Sequence, residues 1–168
     1  MRKYIIKTFV FIALSVFTFS LAHAQQSTQP VVKIAGELTK PFSLSLEQMR
    51  LMPRVDVSRK DRDNKDHQYT GVLLSNLLGQ AGATMGKDLR GENLTKFVLI
   101  EASDGYQVIF SLAELDSEFS EEKIILADTV DGIALPAADG PFRIIVQNDK
   151  KPARCIKQVV SIKIGFAK

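Results

Sequence analysis

Residues 97–110 read Phe97-Val98-Leu99-Ile100-Glu101-Ala102-Ser103-Asp104-Gly105-Tyr106-Gln107-Val108-Ile109-Phe110. Two apolar, β-favouring runs, Phe97 to Ala102 and Tyr106 to Phe110, are split by Ser103-Asp104-Gly105, a spacing that predicts a tight hairpin. Asp-Gly supplies positive φ at little steric cost, which by itself is reason enough for a turn here. Similar short runs recur on both sides. Upstream, Val31 to Ile34 and Val55-Asp56-Val57 read as strands. Downstream, Ile124 to Leu126 and Ile133 to Leu135 flank a second turn at Asp131-Gly132, and Phe142 to Val146 and Val159 to Ile164 complete the set.

Helical signals are fewer and shorter. Ser45-Leu46-Glu47-Gln48 and Ser111-Leu112-Ala113-Glu114 both have the capping-box form, and Pro53 closes the first helix. Val72, Leu73, Leu74, Leu77 and Leu78 recur at helical spacing, with Gly82 just beyond as a C-terminal stop. Between Ser58 and His67 the chain carries Arg59, Lys60, Asp61, Arg62, Asp63, Lys65 and Asp66 with no apolar residue. Mixed charge of this kind predicts a solvated, mobile excursion. No internal repeat interrupts the pattern. Many short strands with a few short helices make an α+β domain with a mixed or mostly antiparallel sheet.

The N-terminus predicts export. Arg2, Lys3 and Lys7 precede an apolar run from Phe9 to Leu21, which ends in Ala22-His23-Ala24. A basic start, a short apolar core and an A-x-A site are what signal peptidase reads, so residues 1–24 are expected to be removed. The run falls short of the ~20 residues that span a bilayer, and a retained anchor is the alternative. No cysteine follows it to carry a lipid. Without a twin-arginine pair the signal is of the general secretory type, which exports unfolded chains to the periplasm. Residues 25–30 read as a disordered polar tail, and 31–168 as one domain.

Composition then excludes several classes. Arg2, Lys3 and Lys7 account for the whole net charge of +3, so the remaining cations balance the 19 acidic residues. A neutral domain has no global electrostatic reason to bind nucleic acid or an anionic membrane. Cys155 is the lone cysteine and leaves no internal disulfide. His67 is the one histidine beyond the leader, and no Cys/His cluster suits zinc. The chain holds no G-x-S-x-G elbow, H-E-x-x-H, Walker loop or G-x-G-x-x-G. His67 in a charged loop reads as an exposed polar residue rather than a general base. Carboxylates are scattered, and motifs alone do not indicate an enzyme.

Three segments nonetheless carry a resemblance. Tyr69-Thr70-Gly71-Val72-Leu73-Leu74 with Leu77-Leu78 looks like a W/Y-x-G-V-x-L-x-x-L-L segment. Ser103-Asp104-Gly105-Tyr106 with Phe110-Ser111-Leu112 looks like a D-G-Y … L hairpin. Gly140-Pro141-Phe142-Arg143-Ile144-Ile145-Val146 and Ala153-Arg154-Cys155-Ile156-Lys157 look like a G-x-P-x-R-x-V-x-P … A-R-x-V-K ending. In this order they resemble the oxidoreductase molybdopterin-binding domain family, the sulfite oxidase fold, over residues 31–164 in a compact version without the insertions of full-length enzymes. The resemblance implies that Arg143, Arg154 and Lys157 help hold a pterin cofactor and its phosphate. A guanidinium offers a planar fork for such edges and an ammonium a point charge, although cations flanking a strand are also ordinary surface residues.

The departures bear on activity. Family enzymes hold molybdenum through a cysteine upstream of the first motif, where this chain has Arg54-Val55-Asp56-Val57-Ser58. Cys155 stands instead in the last motif and reads as a packed, inert thiol. Gln158 replaces a common Trp, and Gln147 a Pro. The resemblance therefore implies a non-catalytic periplasmic module that recognises a pterin-like ligand, a partner protein (the periplasmic domain of a membrane signalling protein, or a redox partner), or both, the ligand-bound state being passed to the signalling partner. Tyr106 or Tyr69 would stack on the ring, and Asp104 would accept from its N–H donors. A genuine molybdopterin oxidoreductase component is the first alternative. A partner-binding domain with an empty cleft is the second.

Overall fold

The computed structural model describes residues 29–167. The expected targeting segment and residues 25–28 of the polar tail lie outside the described residues. Gln29 and Pro30 are exposed, and the Gln29 amide donates to Glu47 at 3.3 Å.

Ten strands form two sheets. The first comprises β1 (Val31–Gly36), β2 (Phe42–Ser45), β5 (Lys96–Ala102), β6 (Gln107–Ser111) and β10 (Val159–Phe166), in the order β2-β1-β10-β5-β6. Its pairings are antiparallel except β1 with β10. The second runs β3 (Val55–Lys60), β4 (Asp66–Leu73), β7 (Ile124–Val130) and β8 (Ile133–Ala134), and β9 (Arg143–Val146) pairs with the other half of β7. It is antiparallel throughout. Two short α-helices, α1 (Leu46–Arg50) and α2 (Leu74–Gln80), complete the described residues. The expected mixed, mostly antiparallel α+β architecture is what the chain adopts.

Alternation explains the burial. In β5 every second residue is buried, so Val98, Ile100 and Ala102 point inward. One core gathers Ile34, Val98, Phe110 and Ile162 from the first sheet with Val57, Val72, Ile125 and Ile144 from the second. The 97–110 hairpin forms as read: Leu99 faces Ile109, and Gly105 turns the chain at φ 83°. The capping box at Ser45 is complete, with Ser45 Oγ accepting from Gln48 N–H at 3.2 Å and Gln48 Oε1 accepting from Ser45 N–H at 2.9 Å. The box at Ser111 and Glu114 has the same reciprocal bonds but closes only a 3-10 turn, Ala113–Leu115.

Two expectations need correction. Residues 58–67 are not a loose excursion. Ser58 pairs with Gln68, Arg59 with His67 and Lys60 with Asp66, so β3 and β4 form a hairpin around a short turn. Arg59 is the reason: its side chain is buried, and Nη1 donates to the carbonyls of Val146 at 2.6 Å and Asp149 at 3.0 Å. Second, Val72 and Leu73 end β4, and the helix starts at Leu74. Gly71 has a packing reason in that strand. A Cβ there would lie 2.1 Å from the Leu126 carbonyl oxygen, where β7 presses on β4 at a register shift.

Candidate ligand cleft

An open cleft of about 550 Å³ lies where three segments meet. The β3–β4 hairpin supplies Asp61 and Asp63, the β5–β6 turn supplies Asp104 and Tyr106, and the segment between β9 and β10 supplies Cys155 and Lys157. Asp139 and Arg143 also line it.

A polar network underlies the cleft. Arg143, buried in β9, donates from Nη1 to the Tyr69 hydroxyl at 2.8 Å and to Asp139 Oδ2 at 2.9 Å. The Tyr69 hydroxyl donates to Asp61 Oδ2. Burial, then the bond to Asp61, holds the Tyr69 phenol well above its ordinary range, so it stays protonated. Asp139 Oδ1 takes Lys157 Nζ at 2.6 Å. Arg143 Nε and Asp61 Oδ1 are buried without a hydrogen-bond partner, although Asp61 Oδ1 lies 3.7 Å from Arg59 Nε.

Of the six residues singled out from sequence, four line the cleft: Asp104, Tyr106, Arg143 and Lys157. Tyr106 is 50% exposed, and its hydroxyl donates to the Ala153 carbonyl at 3.0 Å. That bond fixes the ring across the cleft mouth. Asp104 Oδ1 accepts from Tyr106 N–H at 2.9 Å, so this carboxylate also orders its own turn. The other two residues are placed differently. Tyr69 is 2% exposed beneath the cleft and presents no face to a ring. Arg154 lies outside it. Nε and Nη2 chelate Asp149 at 2.9 and 2.8 Å, Nη1 takes Glu114 at 2.7 Å, and the guanidinium covers the Phe110 ring. The bond from Arg154 holds Asp149 below the usual carboxylate range.

Asp61 and Asp139 were not legible as site residues. Asp61 was submerged in a charged run, and Asp139 carries no motif beyond standing four residues before Arg143. His67 also proves more constrained than an exposed loop residue. Its Nδ1 meets Asp131 Oδ2 at 2.6 Å and its Nε2 meets Asp63 Oδ2 at 3.1 Å. These two bonds, Asp131 first, push its pKa up to about 8.

The donor set does not fit a molybdenum centre. Cys155 lines the cleft yet is buried, and its Sγ accepts from Val146 N–H at 3.4 Å. Burial pushes the thiol pKa up, opposite to what a metal-binding thiolate needs. Among the described residues no three His, Cys, Asp or Glu side chains converge as metal ligands.

The chain is thus a compact α+β domain with a sulfite oxidase-like fold and a polar, tyrosine-bordered cleft. Among solved structures, the sulfane dehydrogenase SoxCD from Paracoccus pantotrophus is similar to it, with a TM-score of 0.63 and 18% sequence identity over 80% of this chain. The match spans 38% of that chain, and at this identity the likeness is one of fold. No family model and no curated protein matches the sequence.

Proposed function

We propose that the chain is a periplasmic binding module of the molybdopterin-oxidoreductase fold family, which takes a free pterin-like heteroaromatic ligand in this cleft without redox turnover. One observation carries the reading: an exposed Tyr106 ring, pinned through its hydroxyl to Ala153, beside the Asp104 carboxylate at the mouth of a polar cleft. A flat heterocycle with adjacent N–H donors matches that pairing, because the ring offers a stacking face and the carboxylate accepts from two donors at once. Cys155 is buried and burial pushes its thiol pKa up, which supports reading the ligand as the organic ring alone. Export in the unfolded state means that the ligand is taken up outside the cytoplasm, and a membrane signalling protein is the partner that would read the loaded state.

Titration calorimetry with dihydroneopterin tests this. Binding is expected in the micromolar range. Tyr106→Ala and Asp104→Asn should each weaken it about tenfold, the equivalent of ~1.4 kcal/mol. Absence of binding by any reduced pterin, or molybdenum in protein purified from the periplasm, would overturn the proposal in favour of a partner-binding domain or an oxidoreductase component.

A further inference from the structure

His67 ties two separate turns together at the edge of the cleft, which it lines beside Arg62 and Asp63 of the β3–β4 hairpin. Its Nδ1 lies 2.6 Å from Asp131 Oδ2, in the β7–β8 turn, and its Nε2 lies 3.1 Å from Asp63 Oδ2, in the hairpin turn. A carboxylate only accepts, and an imidazole donates from both nitrogens only when it is protonated. The arrangement is therefore that of an imidazolium. A neutral ring must turn a lone pair toward one of the two carboxylates.

The two anchors are unequal. Asp131 is fixed independently of the ring: its Oδ1 accepts from Gln68 N–H at 2.9 Å, and its own N–H donates to the Gln68 carbonyl at 2.8 Å. Beyond His67, Asp63 accepts only from Lys65 N–H at 3.1 Å, within its own exposed turn. On losing its proton the ring keeps Nδ1–H on Asp131, and the contact to Asp63 is the one that opens. The other charged groups around the ring do not titrate in its place. Arg59, paired with His67 across the hairpin, is turned to the carbonyls of Val146 and Asp149. Arg62 and Lys65 on the hairpin, and Asp61, Asp104, Asp139, Arg143 and Lys157 around the cleft, are carboxylates and cations whose ordinary pKa values lie far from neutrality. Burial pushes the Cys155 thiol up.

We propose that His67 is a proton-operated latch on the ligand cleft: its imidazolium holds the turn that carries Arg62 and Asp63 in place as one wall, and loss of the proton frees that turn and weakens ligand binding. The inference rests on the reading of the cleft given above. Because the two carboxylates raise the imidazole pKa to about 8, the latch is shut in neutral medium and opens in alkaline medium. By reciprocity, a ligand that prefers the shut form must itself raise the pKa of His67.

Calorimetry with dihydroneopterin at pH 6.5 and at about pH 9, on the parent and on Asp63→Asn, tests the latch. An asparagine amide both donates and accepts, so it serves either form of the ring. The parent should bind about fivefold more weakly at the higher pH, the lower end of typical coupling between sites. In Asp63→Asn the two affinities should agree. Equal affinities in the parent, or the same decline in both proteins, overturns the latch and leaves the ring site standing.

Limited trypsin digestion reads the same turn without a ligand. Cleavage after Arg62 and Lys65, taken relative to Asp63→Asn at the same pH, should rise in the parent between the two pH values. A ratio that stays constant overturns the latch. Binding at neither pH together with a rising ratio overturns the reading of the cleft and supports the latch on the hairpin.

Discussion

Arg143 and Tyr69 meet twice. Nη1 of Arg143 donates to the Tyr69 hydroxyl at 2.8 Å, and the guanidinium lies 5.1 Å from the centre of the same ring. Tyr69 passes the chain of hydrogen bonds on to Asp61 on the β3–β4 hairpin, so β9, β4 and the hairpin turn are tied together under the cleft. A phenol that would otherwise be a ligand's stacking partner is thereby a structural bridge.

Tyr69→Phe removes that bridge and leaves Arg143 and Asp61 each short of a partner in a buried setting. The expected cost is about 1–3 kcal/mol, the range for unsatisfied buried polar groups. Urea denaturation of the variant against the parent measures it, and pterin binding should persist because Tyr69 does not reach the cleft surface.

Gly71→Ala should be worse than an ordinary glycine replacement. Its Cβ would meet backbone, the Leu126 carbonyl at 2.1 Å, which no side-chain rotation relieves. We expect a loss of about 3 kcal/mol or more, beyond the usual overpacking range, seen as a lower denaturation midpoint. Gly79→Ala, where a Cβ meets nothing within 4 Å, is the control and should be neutral or stabilising.

His67 sets a pH dependence. Its pKa is raised from 6.5 to about 8 by the carboxylates of Asp131 and Asp63, and these are in turn held below the usual carboxylate range by bonds to His67. Because the folded value is the higher one, the stabilisation is fully present below pH 6.5 and disappears as pH rises through about 8. The parent should lose thermal stability across this window relative to His67→Gln. An NMR titration of the imidazole should place its midpoint near 8, falling toward 6.5 in Asp131→Asn.

Arg154→Ala separates family expectation from geometry. Arg154 chelates Asp149, bonds Glu114 and covers Phe110, outside the cleft. The variant should lose about 1 kcal/mol of stability, discounted because the side chain is 35% exposed. Its affinity for dihydroneopterin should equal the parent's. Weakened binding without lost stability would instead put Arg154 in the site.

The readable parts of the sequence were those whose cause is local. The hairpin at Ser103-Asp104-Gly105, the box at Ser45 and Gln48, and the strand at Val159 each arise from residues a few positions apart. The run from Ser58 to His67 was misleading for the opposite reason. Seven charges look like solvated loop until Arg59 reaches a carbonyl 87 positions away at Val146. The second helix is real but its start was misread for the same reason, since Val72 and Leu73 fit a helical period but pair with Leu126 and Ile125 in the sheet.

By itself the sequence determined the alternation of short strands and the turns between them, because side-chain period and glycine or aspartate conformational preference act over a few bonds. It also determined which residue types were available to meet a ligand. Only the tertiary structure decided how those residues are spent. Asp139 takes up both Arg143 and Lys157, Asp149 takes up Arg154, and Lys60, Arg62 and Lys150 are left facing solvent. Charge neutralisation follows distance in space, and the chain brings those partners within reach only when its two sheets have packed.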